Sequence, residues 1–218
     1  MWHFGERPPQ IEGSAFEADK DALHGLSQNL SQICSQVNGF AAALALFVYC
    51  GKQIEFFQGA VNGDTTHLFG HWRFIAARDG ALRLSDFNDA LEGANGYLKA
   101  AFGDEVQKVK PSPDDLLKQY FPNFAGVRNS AAHTSLKTKN SKQIEAHSTT
   151  EYKLGGINAR AKSILVGEGL HNQTYYGLWK KEPVSYDLTQ QSLKRLEEIK
   201  NALFSRIPKS YPAQKESK

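Results

Sequence analysis

Apolar positions recur every three or four residues from Leu23 onward. Leu26, Leu30, Ile33, Val37, Phe40, Leu44 and Phe47 complete one stripe, with Gln28, Ser31, Gln32 and Ser35 on other faces. That period predicts a long amphipathic helix from Asp19 to about Cys50. Between Phe40 and Tyr49 the pattern is apolar almost all round, which predicts a path through a core. Gly39 is placed to bend this helix or to admit a close crossing. Lys52 to Phe57 could extend it, and Asn62-Gly63-Asp64 reads as a turn.

Thr65 or Thr66 would cap a second helix through Arg78, with Leu68, Trp72, Ile75 and Ala76 as its inward stripe. Gly80 is expected to break or bend it. Ser85 would cap a further helix presenting Ala90, Leu91, Leu98 and Phe102. In Lys110-Pro111-Ser112-Pro113, Ser112 caps and Pro113 opens a short helix to about Tyr120. Asp114 and Asp115 sit in its first turn, where the helix dipole favours acids. Pro122 marks the entry to another helix, roughly Asn123 to Ser135.

After that the period changes. Lys137 to Ser148 is polar and irregular, and the pattern assigns no element from Gly155-Gly156 to Gln173. Tyr175 to Trp179 and Val184 to Leu188, joined through Lys180-Lys181-Glu182, read as a β-hairpin. Thr189 or Ser192 begins a last helix whose stripe is Leu193, Leu196, Ile199, Ala202 and Leu203. Pro208 ends it. The expected fold is mainly α: an antiparallel helical bundle with a small C-terminal β-hairpin near 175–188 and a final helix. It would form one domain over 18–207, between an N-terminal arm (1–17) and a loose tail (208–218).

Composition narrows the class. At 218 residues, 40% hydrophobic and 22% charged, the chain suits one globular domain, and wholesale disorder is excluded. The longest uninterrupted apolar run, Phe40 to Cys50, is short for a bilayer, and the N-terminus carries no export pattern. A cytoplasmic protein without membrane contact is therefore expected. Cys34 and Cys50 stand about 24 Å apart along one helical pattern, beyond disulfide reach. They are expected as small buried hydrophobes.

The net charge of +3 is unevenly spread: −4 up to His133 and +7 after it. Such an asymmetry either draws a polyanion toward one region or forms a solvated surface with lysine-rich ends.

Gly126-Val127-Arg128-Asn129-Ser130-Ala131-Ala132-His133 is the segment most suggestive of chemistry. Its three small residues allow close approach of another helix or a phosphate. Arginine is a fixed cationic fork for phosphate oxygens, and histidine exchanges a proton near pH 7. Together they are the minimum for cleaving RNA without a metal. The imidazole would handle the 2′-hydroxyl or leaving-group proton, and the guanidinium would stabilise charge on the phosphate. Five residues along one helix leave the two side chains about 140° apart around the axis. A bend, or a second copy across a two-fold axis, would bring them together. In the purely structural alternative, Arg128 pairs with a carboxylate, Asn129 satisfies a loop carbonyl and His133 closes its helix.

Arg128-Asn129 with His133 resembles the Arg-x4-His signature of the HEPN superfamily. Arg73-Phe74-Ile75-Ala76-Ala77-Arg78-Asp79-Gly80-Ala81 looks like the early-helix block of some bacterial HEPN-like families. Val184-Ser185-Tyr186-Asp187-Leu188, followed by Leu196-Glu197-Glu198-Ile199, is also similar to them. The likeness spans about 18–135 plus the hairpin and last helix. It implies a helical bundle that pairs as a homodimer and acts on RNA as a metal-independent endoribonuclease. It also implies that Arg128 works at the scissile phosphate, His133 as the acid/base and Asn129 as the polar neighbour that orders the site. Other members have lost activity and serve as interaction or scaffold domains with protein partners. Compact members carry the motif near the chain end, whereas 85 residues follow His133 here.

The remaining candidates have bland readings beside them. His67 and His71 share a helix face at metal-ligand spacing, but no third ligand is obvious. Arg73, Arg78 and Asp79 suggest an internal ion network, and Trp72 a core residue. Tyr175, Tyr176, Trp179 and Tyr186, beside Lys180 and Lys181, could stack on bases, but alternation favours packing for some of them. His147 and His171 have no partner pattern. Gly59, Gly63, Gly167 and Gly169 form no phosphate loop, so no cofactor is expected. A small-ligand-binding helical protein is a third class of reading.

Overall fold

The computed structural model describes residues 8–9, 20–57, 63–103, 110–132, 148–154, 157–165, 168–180 and 182–207. The chain is mainly α, with small antiparallel sheets and a final helix. Helix α1 spans Lys20–Phe57, α2 Gly63–Phe102, α3 Pro113–Tyr120 and α4 Phe124–Ala132. Strands β1 (Ser148–Leu154) and β2 (Ile157–Leu165) pair antiparallel. Strands β3 (Gly169–His171), β4 (Thr174–Trp179) and β5 (Glu182–Asp187) form a second antiparallel sheet, and α5 (Gln190–Phe204) closes the order.

Two compact units emerge, each containing part of α1 and part of α2. The first comprises residues 1–38, 86–120 and 194–218. Leu23, Leu26, Leu30 and Ile33 of α1 are buried here, as are Leu91 and Leu98 of α2, Leu117 of α3, and Leu196, Ile199 and Leu203 of α5. The predicted stripes of α1 and α5 are therefore the buried ones, with Ala202 half-covered. A polar thread runs through this core. The Asn95 amide donates to Asp114 at 2.8 Å, and the buried Arg206 donates to the Asn95 carbonyl oxygen at 3.4 Å. Burial pushes the Asp114 carboxyl up, and the Arg206 and Lys118 charges pull it back.

Helix α3 starts as its sequence predicts. The Asp115 backbone N–H donates to Ser112 Oγ at 3.1 Å, and the Ser112 N–H donates to Asp115 Oδ2 at 3.2 Å. This reciprocal capping box satisfies two otherwise orphaned donors. Ser112→Ala is expected to lower stability by about 1 kcal/mol in denaturant melts. The Ser112 hydroxyl and N–H hold the Asp115 carboxyl below its ordinary value. Its contribution is full above the ordinary carboxylate pKa and is lost as pH falls through the lowered folded value, so the penalty of Ser112→Ala should shrink in acid.

The second unit comprises residues 39–85 and 121–193. Its core holds Phe40, Leu44 and Phe47 of α1, Ala76, Ala77, Ala81 and Leu84 of α2, Val127 and Ala131 of α4, and Tyr175, Leu178, Val184 and Tyr186 of the sheet. The predicted hairpin is present as β4–β5, with Lys180 at φ 49° in its turn. Strand β3 and the β1–β2 pair form where the pattern assigned nothing. Asn172, at φ 53°, supplies the left-handed turn from β3 to β4, a conformation asparagine tolerates. The Thr189 hydroxyl accepts from the Ser192 N–H at 3.1 Å, which decides the cap of α5 in favour of Thr189.

Helix α2 corrects the sequence reading twice. It is one helix of 40 residues, so Gly80 does not end it and Ser85 caps nothing. Instead Gly80 leaves room for Tyr186: a Cβ there would lie 2.5 Å from the hydroxyl and 3.0 Å from Leu188 Cδ1. That hydroxyl donates to the Ala77 carbonyl and accepts from the Ala81 N–H. It therefore bonds the α2 backbone directly. The second correction is that Leu68, Trp72 and Ile75 are exposed. The face that packs closely carries Ala76, Ala77, Gly80 and Ala81, because aromatic rings approach it and need small partners. The larger side chains lie on the neighbouring face.

Helix α1 also runs past Cys50 to Phe57. By length and composition alone it could cross a membrane, with half of its most apolar 18-residue window buried. Cys34 and Cys50 are free and buried, and burial raises both thiols.

Candidate functional site

Helix α4 carries the arginine of the motif. Val127, Ser130 and Ala131 are buried, which turns Arg128 outward. The exposed Arg128 guanidinium donates to Asn129 Oδ1 at 3.2 Å, and Asn129 is half-buried. His133 lies outside the described residues, as do Lys137 to His147, so the convergence of Arg128 and His133 has no geometry here.

The structure fixes the helix that carries Arg128. At Gly126 a Cβ would stand 2.6 Å from Val184 Cγ1, so this glycine lets α4 lie against β5. On the facing strand, a Cβ at Gly177 would collide with Ser130 Oγ. Two glycines, one on each partner, allow the close crossing of α4 over the hairpin. Ser130, one of the small residues noted in the sequence, therefore meets a strand.

The end of α4 is tied separately. Arg78 Nε of α2 donates to the Ala131 carbonyl at 2.9 Å. That oxygen belongs to the last turn, whose carbonyls lack helical partners and favour a cation. Arg78 thus holds the last turn of α4. Glu168 and Tyr175 stand close by. Burial, then the Glu168 carboxylate, push the Tyr175 phenol far up, while Arg78 pulls it down. Burial also raises the Tyr186 phenol. Both hydroxyls stay protonated at neutral pH.

The suggested ion network is not what forms. Asp79 pairs with Arg83 at 3.3 Å, one turn along α2. Arg73 donates to the Asn172 carbonyl at 2.9 Å and lies 4.3 Å above the Phe47 ring. Arg73 and Arg78 each hold a backbone carbonyl, a use that residue type alone does not reveal. Of the hairpin aromatics, Tyr175 and Tyr186 are buried and their rings pack at 5.9 Å, so neither is a stacking platform for bases. Tyr176 and Trp179 are half-buried. Trp72, expected in the core, is exposed. His67, His71 and His171 are exposed, and among the described residues no group of three His, Cys, Asp or Glu side chains could hold a metal ion.

No family model matches the chain. No curated protein and no solved structure matches it significantly either. The functional reading therefore rests on its own residues.

Proposed function

We propose that this chain is a HEPN-like, RNA-directed protein, a metal-independent endoribonuclease working through Arg128 and His133. The observation that carries the reading is the exposed Arg128 guanidinium, ordered by Asn129, on a helix whose other face is anchored by the hairpin and Arg78. An exposed, oriented fork suits a phosphodiester. In the proposed step the 2′-oxygen attacks phosphorus and the P–O5′ bond breaks. His133 accepts the 2′-hydroxyl proton, and an imidazolium protonates the departing 5′-oxygen. The products are a 2′,3′-cyclic phosphate and a 5′-hydroxyl, with no net consumption of water. A homodimer would supply the second imidazole and guanidinium.

The alternative is a non-catalytic interaction or scaffold domain. The exposed apolar side chains of α1 and α2 favour it, since a protein partner would cover them. RNA cleavage in EDTA, with wild type beside His133→Ala and Arg128→Ala, separates the two. The nuclease reading requires cleavage by wild type that both variants lose while remaining folded. Absence of cleavage by wild type supports the scaffold, and equal cleavage by all three points to contamination or another site.

A further inference from the structure

Between Phe40 and Cys50 nearly every face of α1 is apolar, yet only some of these faces are covered. Leu46, Tyr49 and Phe56 share one side of α1 and are 40%, 50% and 73% exposed. On α2, Leu68, Trp72 and Ile75 form a second stripe, 47%, 41% and 46% exposed. Phe69 joins the two, with its ring 6.2 Å from Tyr49 and 5.7 Å from Trp72. The result is one aromatic and aliphatic face across two helices of the second unit.

The charges around this face are sorted by sign. Lys52 stands about 60° around α1 from Tyr49, at the border of the stripe, whereas Glu55 stands about 120° away. On α2, His71 and His67 lie about 40° and 80° around from Ile75, on the side opposite Phe69. All four are exposed. Arg73 is half-buried between the helices, with its guanidinium 4.3 Å from the Phe47 ring centre and about as close to Gly51. Asp79 continues the α2 stripe one turn past Ile75, and Arg83 offsets it at 3.3 Å. Lys52 and Arg73 against Glu55 therefore leave one positive charge with neutral imidazoles, and three when both are protonated.

We infer that this face docks on an anionic lipid surface, lying along it rather than crossing it. Half of the most apolar window of α1 is buried in protein, so α1 offers lipid one side only. The six exposed side chains present on the order of 500 Å² of apolar surface, at the upper end of what monomers leave open. Trp72 and Tyr49 suit the headgroup boundary, and their aliphatic neighbours suit the acyl chains beneath it. Lys52 and the two histidines border the face on its outer edges, where lipid phosphates and carboxylates would meet them. A negative surface also favours the protonated imidazole. A protein partner or RNA fits less well. Of the six side chains only Tyr49 and Trp72 carry a hydrogen-bonding group, whereas protein interfaces use about one hydrogen bond per 100–200 Å². Leu46, Leu68 and Ile75 give bases no ring to stack on. The expectation of no membrane contact followed from the lack of a spanning run and of an export pattern, and a peripheral face needs neither. The inference uses none of the residues proposed for RNA cleavage and stands or falls without it.

Flotation of the full chain with phosphatidylcholine vesicles containing roughly 30% phosphatidylserine tests it. Wild type is expected to float with them, about tenfold more weakly with phosphatidylcholine alone, and less as salt rises. Trp72→Glu should weaken partitioning by about tenfold or more, through lost apolar contact and an added carboxylate. Lys52→Gln should weaken it about fivefold, the worth of one basic residue at such a surface. Both positions are exposed, so far-UV circular dichroism and melting temperatures should match wild type, and Lys52→Gln carries the test if Trp72→Glu does not fold. A wild type that floats with neither vesicle overturns the inference, as does equal flotation with both, or variants that float like wild type. A wild type that ignores vesicles but sediments as a dimer or retains an oligouridylate, with that property lost in Trp72→Glu, identifies a second copy or RNA as the occupant and also overturns it. Because flotation is read without RNA, a lipid-binding chain without nuclease activity and a nuclease that ignores vesicles are distinguishable results.

Discussion

His133→Ala is expected to reduce EDTA-resistant RNA cleavage by roughly 10²–10⁴-fold, the range that a positioned general acid or base contributes. Arg128→Ala should cost a comparable 10²–10³-fold, because the guanidinium acts on charge that grows at the phosphate in the transition state. Arg128→Lys should recover only part of that loss, since an ammonium lacks the planar fork. Arg128 is exposed and its side chain meets only Asn129 among the hydrogen bonds seen, so its removal should leave melting within about 0.5 kcal/mol of wild type. Arg78→Ala should behave differently. It removes a donor from the Ala131 carbonyl, so it should lower stability by about 1–2 kcal/mol and cleavage by less than His133→Ala. The pH profile of cleavage distinguishes the two roles. Loss of a proton-transfer group removes a limb of the profile, whereas loss of a tether lowers it without changing its shape. An unchanged rate in His133→Ala would place any observed cleavage elsewhere.

Gly80→Ala is expected to destabilise the protein by about 2–4 kcal/mol, against the intrinsic preference of helices for alanine. Alanine in place of glycine should gain about 1 kcal/mol in an open helix. Here the new methyl would stand 2.5 Å from the Tyr186 hydroxyl and 3.0 Å from Leu188. Neither can yield cheaply. Tyr186 is buried, its ring packs on Phe40 at 6.3 Å, and its hydroxyl bonds the α2 backbone at Ala77 and Ala81. Displacing it adds overpacking, about 1–3 kcal/mol, to a buried hydroxyl left without partners, another 1–3 kcal/mol. Tyr186→Phe alone should cost only about 1 kcal/mol, the usual net worth of one intramolecular hydrogen bond. In the double variant the alanine no longer meets a hydroxyl, so much of its penalty should vanish. A coupling of about 2 kcal/mol in the double-mutant cycle is the expected result. Additive effects would show that the hydroxyl and Gly80 do not share this space.

The two long helices differ in how readily they could be read. In α1 every residue of the predicted stripe from Leu23 to Phe47 is buried, because one face meets partners along the whole run. In α2 the eye follows Leu68, Trp72 and Ile75, but the close contacts use alanine and glycine. Small residues carry little hydrophobic signal, and what makes them necessary, the Tyr186 ring, lies more than a hundred positions away. Gly80 looked like a break for the same reason. Strand β3 carries little pattern of its own because it is only three residues long and its ladder is completed by β4.

The candidate site divides along the same line. Residue type and spacing alone picked out Arg128, Asn129 and His133, since a guanidinium and an imidazole keep their chemistry wherever they fold. They also set the helical period, the cap at Ser112 and the hairpin. That Arg128 faces water, that Arg78 holds Ala131, and that Gly126 and Gly177 let α4 lie on the sheet were decided only by tertiary structure. So was the exposure of Trp72. Local pattern reports which side chains prefer burial, but the available neighbours determine which of them obtain it.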